Sequence, residues 1–162
     1  MPDLVLGIGD MGVSNDPGVN IKTYALGSCI AVVFYNAAFK TGGMVHIALA
    51  DSNINEEKSR IKPGYFADTG IPELLASMRK KMGSLDLSGL EVKLIGGARV
   101  IRDERFFDIG GKNIETARKL IRSLGLKIRS EDTAGDISRT VTLFTADGRT
   151  MISNVERGKW FI

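Results

Sequence analysis

Apolar and polar positions follow two different periods along the chain, and the changes of period divide it into segments. Residues 3–8 and 19–25 alternate as half-buried strands do, and the turn-rich Ser14-Asn15-Asp16-Pro17-Gly18 joins them. Ile30-Ala31-Val32-Val33-Phe34-Tyr35 is short, β-branched and aromatic, which predicts a buried strand. Residues 36–42 form a reversal and residues 43–49 resume strand character, so the two runs are expected to pair as an antiparallel hairpin. Register then decides which side chains meet. If His46 pairs with Cys29 or with Ala31, it shares a face with Cys29, whereas a slip by one residue puts the two on opposite faces.

Beyond the hairpin, residues 51–62 are polar and predict a surface loop. Ile71, Leu74, Leu75, Met78 and Met82 recur at helical spacing, predicting a helix from about residue 69 to residue 82 with Pro72 tolerated in its first turn. Leu90 to Ile95 alternates as a strand and ends at Gly96-Gly97, a tight turn whose backbone can approach another segment closely. Asn113 is assigned as the N-cap of a second helix with the stripe Ile114, Ala117, Leu120, Ile121 and Leu124, stopped by Gly125. Strands follow at 127–130, 139–145, 150–155 and 160–162, with Ala146-Asp147-Gly148 the sharpest hairpin signal. The expected fold is α+β: a layered α/β/β sandwich of mostly antiparallel strands, with two main helices on one side.

At 162 residues the chain is expected to be a single domain spanning 1–162. Its 43% hydrophobic and 25% charged residues exclude disordered and fibrous classes. No apolar run approaches the roughly 20 residues of a bilayer span, and Met1-Pro2-Asp3 lacks the basic start of a signal peptide. A lone cysteine forms no internal disulfide, which fits a reducing compartment and predicts a cytoplasmic protein. The net charge of +3 is spread along the chain. Arg99, Arg102 and Arg105, and later Arg118, Lys119, Arg122, Lys127 and Arg129, allow a mildly basic face without the dense, aromatic-laced stripe of a nucleic-acid binder. Solvated helix faces account for most of these charges, and steering toward an acidic protein partner is the second reading.

One cysteine and one histidine in separate strands, without clustered carboxylates, make no metal site, and Gly96-Gly97 lacks the spacing of a nucleotide loop, so no metal or cofactor is expected. The chemistry that remains is that of a thiol. Cys29 follows the Gly27-Ser28 bend at the mouth of a strand. A free thiol titrates near pH 8.5, so a neighbouring imidazole that takes or balances its proton is what activates it. Set against this, a cysteine and a histidine on apolar strands are more often packing residues. Phe106-Phe107 offers two adjacent aromatics in a connection, either a partner patch or an anchor of the loop onto the core.

Leu26-Gly27-Ser28-Cys29 within residues 23–30, followed by Gly42-Gly43-Met44-Val45-His46, resembles the signature of the CheD family of chemoreceptor glutamine deamidases. Gly7-Ile8-Gly9, Asp16-Pro17-Gly18, Gly64-Tyr65-Phe66-Ala67-Asp68, Gly96-Gly97-Ala98, Ile109-Gly110-Gly111-Lys112-Asn113 and Glu131-Asp132-Thr133-Ala134-Gly135 fall in the family's order, over nearly the whole chain. The chain departs from the family after the histidine, where Ile47-Ala48-Leu49-Ala50-Asp51 stands in place of a segment that commonly holds a methionine and a proline.

The resemblance implies hydrolysis of glutamine side-chain amides in methyl-accepting chemotaxis receptors through a cysteine thioester, with methylester hydrolysis in some members. It implies Cys29 as nucleophile, His46 as base and then acid, and Thr23 as third member, its hydroxyl fixing the imidazole tautomer. The oxyanion is assigned to the Cys29 N–H with another amide near Gly27-Ser28. Phe106 and Phe107 are candidate partner contacts. The family also implies a phosphatase partner, CheC, which binds the deamidase and blocks access to its cleft; alone, the protein is expected to be a monomer. Two further readings are a regulatory module for that phosphatase with little catalysis and an amidase of small molecules.

Overall fold

The structure is a computed structural model and describes residues 3–100 and 108–162. Arg102, Arg105, Phe106 and Phe107 lie outside the described residues. The strands are β1 (Asp3–Leu6), β2 (Met11–Ser14), β3 (Asn20–Leu26), β4 (Ile30–Asn36), β5 (Thr41–Ile47), β6 (Leu90–Gly96), β7 (Ile128–Thr133), β8 (Arg139–Phe144), β9 (Thr150–Asn154) and β10 (Gly158–Phe161). The helices are α1 (Glu56–Ile61), α2 (Ala67–Met82) and α3 (Ile109–Ser123). One sheet has the order β1-β3-β8-β9-β10 and the other β2-β5-β4-β6-β7. Among the described strands, only β1 with β3 and β6 with β7 pair parallel.

Strand β4 explains the layering. It lies mid-sheet between β5 and β6, and every residue in it is buried, so both of its faces must be covered. Ile30, Val32 and Phe34, with Val45 and Ile47, pack against Ile71, Leu74, Leu75 and Met78 of α2 and Ile114, Ala117 and Ile121 of α3. Ala31, Val33 and Met44 face the opposite way, onto Ile21, Leu26, Val141, Leu143 and Ile152 of the other sheet. The chain is therefore an α/β/β sandwich with α2 and α3 on one side, as the hydrophobic pattern predicts.

Three local expectations are corrected. Asn113 is not an N-cap: α3 starts at Ile109, and the Asp108 side chain caps it by accepting from the Gly111 N–H. Gly110-Gly111 disfavours helix intrinsically, but Gly110 lies against the Gly97 backbone, where a Cβ would stand 2.4 Å from the Gly97 carbonyl oxygen, so packing overrides propensity. The 51–62 segment holds a short turn of 3₁₀ helix, Ser52–Ile54, and α1, which buries no residue and is capped by Asn55. Strand β2 is an additional element beside β5; it is short, and Gly12 interrupts its alternation.

Candidate active site

The hairpin register decides the site. Ala31 pairs with His46 in the β4–β5 ladder, one of the two registers that put His46 on the face of Cys29. Cys29 directly precedes β4 and packs with Ala31, Val33 and Met44 between the two sheets. His46 lies on the same face and is 4% exposed.

Thr23 reaches this imidazole from the other sheet. It is fully buried on β3, and its Oγ1 lies 2.6 Å from His46 Nδ1 and 2.9 Å from the Leu6 carbonyl oxygen. A carbonyl only accepts, so the one hydroxyl proton of Thr23 goes to Leu6 and the hydroxyl accepts from Nδ1–H. That fixes the tautomer and leaves the lone pair on Nε2. Nε2 is buried and has no hydrogen-bond partner among the described residues. Just beyond Thr23, β3 shifts register before Leu26, and Ala25 takes a left-handed φ of 52°. The strand is thus turned toward the Cys29 bend directly after it delivers the threonine.

The main chain of His46 is pinned by the β1–β2 turn: Gly9 N–H donates to the His46 carbonyl at 2.7 Å, and His46 N–H to the Asp10 carbonyl at 3.0 Å. The Asp10 carboxylate is held by Lys62 at 3.0 Å and by the Gly7 N–H at 2.8 Å. On the Cys29 side, Gly97 N–H donates to the Cys29 carbonyl and Ala98 N–H to the Gly27 carbonyl, at 2.9 and 2.8 Å. Gly96 needs to be glycine here, since a Cβ would fall 2.4 Å from the Cys29 carbonyl oxygen and φ is +104°. The glycine pair is the close-approach turn the sequence predicts.

Burial sets the charge states. It lowers the His46 pKa to about 4, against a weaker opposing pull from the Asp10 carboxylate. It raises the Cys29 thiol, with partial relief from its own backbone N–H. At neutral pH burial therefore favours the thiol form of Cys29 and the neutral form of the His46 imidazole.

The structure joins Thr23 to His46 by a hydrogen bond and puts Cys29 on the same face of the hairpin, with Gly27 and Ser28 in the bend before it; no hydrogen bond links Cys29 to His46 among the described residues. Two contributors escape the sequence reading. Asp10 lies in a turn far from either motif. Asn113 is fully buried inside α3, and its Nδ2 donates to the Ser28 carbonyl at 2.9 Å and the Ala48 carbonyl at 3.0 Å. A polar residue on the buried face of a helical stripe is the signal that points to it.

Fold and site define an α/β/β sandwich with a cysteine, a histidine and a threonine gathered where its two sheets meet. A family model described as CheD chemotactic sensory transduction matches residues 48–154. The chain is 44% identical over its full length, and over that of its relative, to a probable chemoreceptor glutamine deamidase CheD of Syntrophotalea carbinolica. It is 42% identical to a probable chemoreceptor glutamine deamidase CheD 1 of Syntrophus aciditrophicus, with 95% of each chain covered. It is 36% identical to the chemoreceptor glutamine deamidase CheD of Thermotoga maritima, with 96% of this chain and 94% of that one covered. The chain belongs to the CheD family.

Proposed function

We propose that this protein deamidates glutamine side chains of chemoreceptors, with Cys29 as nucleophile. The observation that carries the mechanism is the Thr23–His46 hydrogen bond, because it directs the basic nitrogen of a neutral imidazole away from β3 and leaves it free. As the sulfur attacks the amide carbon, the thiol proton passes to His46 Nε2 and a tetrahedral oxyanion forms. The oxyanion is met by the Cys29 N–H and a neighbouring amide of the Gly27-Ser28 bend. Collapse breaks the C–N bond, the imidazolium proton leaves with the amine as ammonia, and a thioester remains. Water, deprotonated by His46, hydrolyses the thioester to glutamate and restores the thiol. Methylesters fit the same sequence with methanol as leaving group.

Exposed apolar side chains beside the site support a macromolecular substrate. Ile8 adjoins Gly9, whose N–H holds the His46 carbonyl, and Val100 lies near Gly27; both are exposed. A single amino acid needs no such rim. The same surface suits a CheC-type phosphatase competing with the receptor, and the working protein is proposed to be a cytoplasmic monomer of one domain. No described helix is long and apolar enough to cross a membrane. Incubation with a receptor cytoplasmic fragment and mapping of Gln-to-Glu conversion by mass spectrometry tests the proposal: site-specific conversion supports it, and its absence with a folded, thiol-intact protein refutes it.

A further inference from the structure

Three consecutive carbonyls around the nucleophile are each held by a hydrogen bond. The Gly27 and Cys29 carbonyls accept from the backbone of Ala98 and Gly97, while the middle one, Ser28, accepts from a side chain, Asn113 Nδ2 at 2.9 Å. No cis peptide occurs among the described residues, so the Ser28–Cys29 unit is trans and planar. Fixing the Ser28 C=O toward α3 therefore points the Cys29 N–H in the opposite direction, away from α3. That N–H makes no backbone hydrogen bond among the described residues.

The second hydrogen of Asn113 Nδ2 goes to the Ala48 carbonyl at 3.0 Å, two residues beyond His46. Both partners are acceptors, so the amide orientation is fixed by chemistry, and Oδ1 is left buried without a donor among the described residues. An unpaired buried carbonyl is costly. Asn113 thus spends its whole donor capacity on the Cys29 bend and the end of the His46 strand.

We infer that Asn113 is a positioning residue for the reaction: through the Ser28 carbonyl it aims the Cys29 N–H at the place where the oxyanion forms. This rests on the deamidase reading above. It predicts a transition-state effect, because the oxyanion exists only after attack, whereas substrate binding and the nucleophilicity of the sulfur do not depend on it.

The test uses the full chain with Asn113→Ala, and with Asn113→Asp, which keeps the side-chain shape but gives up the amide's paired donors. Deamidation of a receptor fragment gives kcat and KM, and iodoacetamide gives the alkylation rate of Cys29, a displacement at saturated carbon that forms no oxyanion. The expected result for either folded variant is a kcat lower by roughly a hundredfold, the lower end of what removing one oxyanion donor costs. KM stays within about threefold and the alkylation rate within about twofold, as befits an effect confined to the transition state. Alkylation falling in step with kcat would make Asn113 a residue of the general packing and overturn the inference, as would an unchanged kcat or the failure of both variants to fold. Wild-type protein that produces no glutamate would instead refute the deamidase reading, and this inference with it.

Discussion

The ionisation of His46 and Cys29 gives the site a distinct pH signature. The His46 pKa is lowered to about 4 in the folded chain, against about 6.5 unfolded. Below pH 6.5 the unfolded state binds the extra proton, so the stability is complete above 6.5 and is lost as pH falls through 4, by roughly 3 kcal/mol at 1.4 kcal/mol per unit. Denaturant midpoints of wild type and His46→Phe between pH 7 and 4 should converge or cross as the wild type loses this increment; parallel curves would contradict the assignment. Because burial raises the Cys29 thiol, its alkylation rate should climb steadily above neutral pH. A rate plateau extending from pH 6 to 8 would instead reveal a preformed thiolate. Thr23→Val keeps the shape but removes the acceptor for Nδ1–H. It should lower kcat by roughly 10- to 100-fold, at or below the low end of general-base effects because His46 itself remains, and reduce stability by about 1–3 kcal/mol because the Leu6 carbonyl and Nδ1 lose their partner.

At the scale of elements, the β4–β5 hairpin carries the site, and its far side is closed by the Gly96-Gly97 turn. Gly96→Ala places a methyl on the Cys29 carbonyl oxygen at a φ of +104°. The variant should lose about 1–3 kcal/mol or more in thermal or chemical unfolding and shift the Cys29 bend enough to cut activity; wild-type stability would mean that β6 does not brace that bend. Much of this was legible in the sequence. The hairpin stands out because the β-branched and aromatic run 30–35 and the strand-like run 43–49 flank the reversal at 36–42, and the Cys29 and His46 face follows from period two once the register is chosen. The choice between the two allowed registers needed the ladder itself. The start of α3 was hidden by Gly110-Gly111, whose place in a helix depends on contact with Gly97. Asn113 looked like a cap because asparagine favours that position, while its bonds to Ser28 and Ala48 join segments far apart in the chain. Only the family resemblance marks Thr23 in the sequence, since no spacing rule brings one sheet's threonine to another sheet's histidine.

At the scale of the whole molecule, the sandwich explains why the catalytic candidates come from different layers. The second sheet supplies the histidine and the bend that carries the thiol, and the first sheet supplies the hydroxyl that orients the imidazole. Helix α3, on the outer side, holds the bend through one amide. Such a site depends on the packing of two sheets, so loosening of the layers should reduce catalysis before it unfolds the chain. The central claim is that Cys29 converts receptor glutamines with His46 as its base. It is tested most directly by mass-spectrometric mapping of a receptor cytoplasmic fragment after incubation with wild type, Cys29→Ala and His46→Ala. Wild type should convert particular glutamines to glutamate, Cys29→Ala should convert none, and His46→Ala should be slower by roughly a hundred- to ten-thousandfold. Full activity in His46→Ala, or any conversion by Cys29→Ala above the no-enzyme control, would contradict the account.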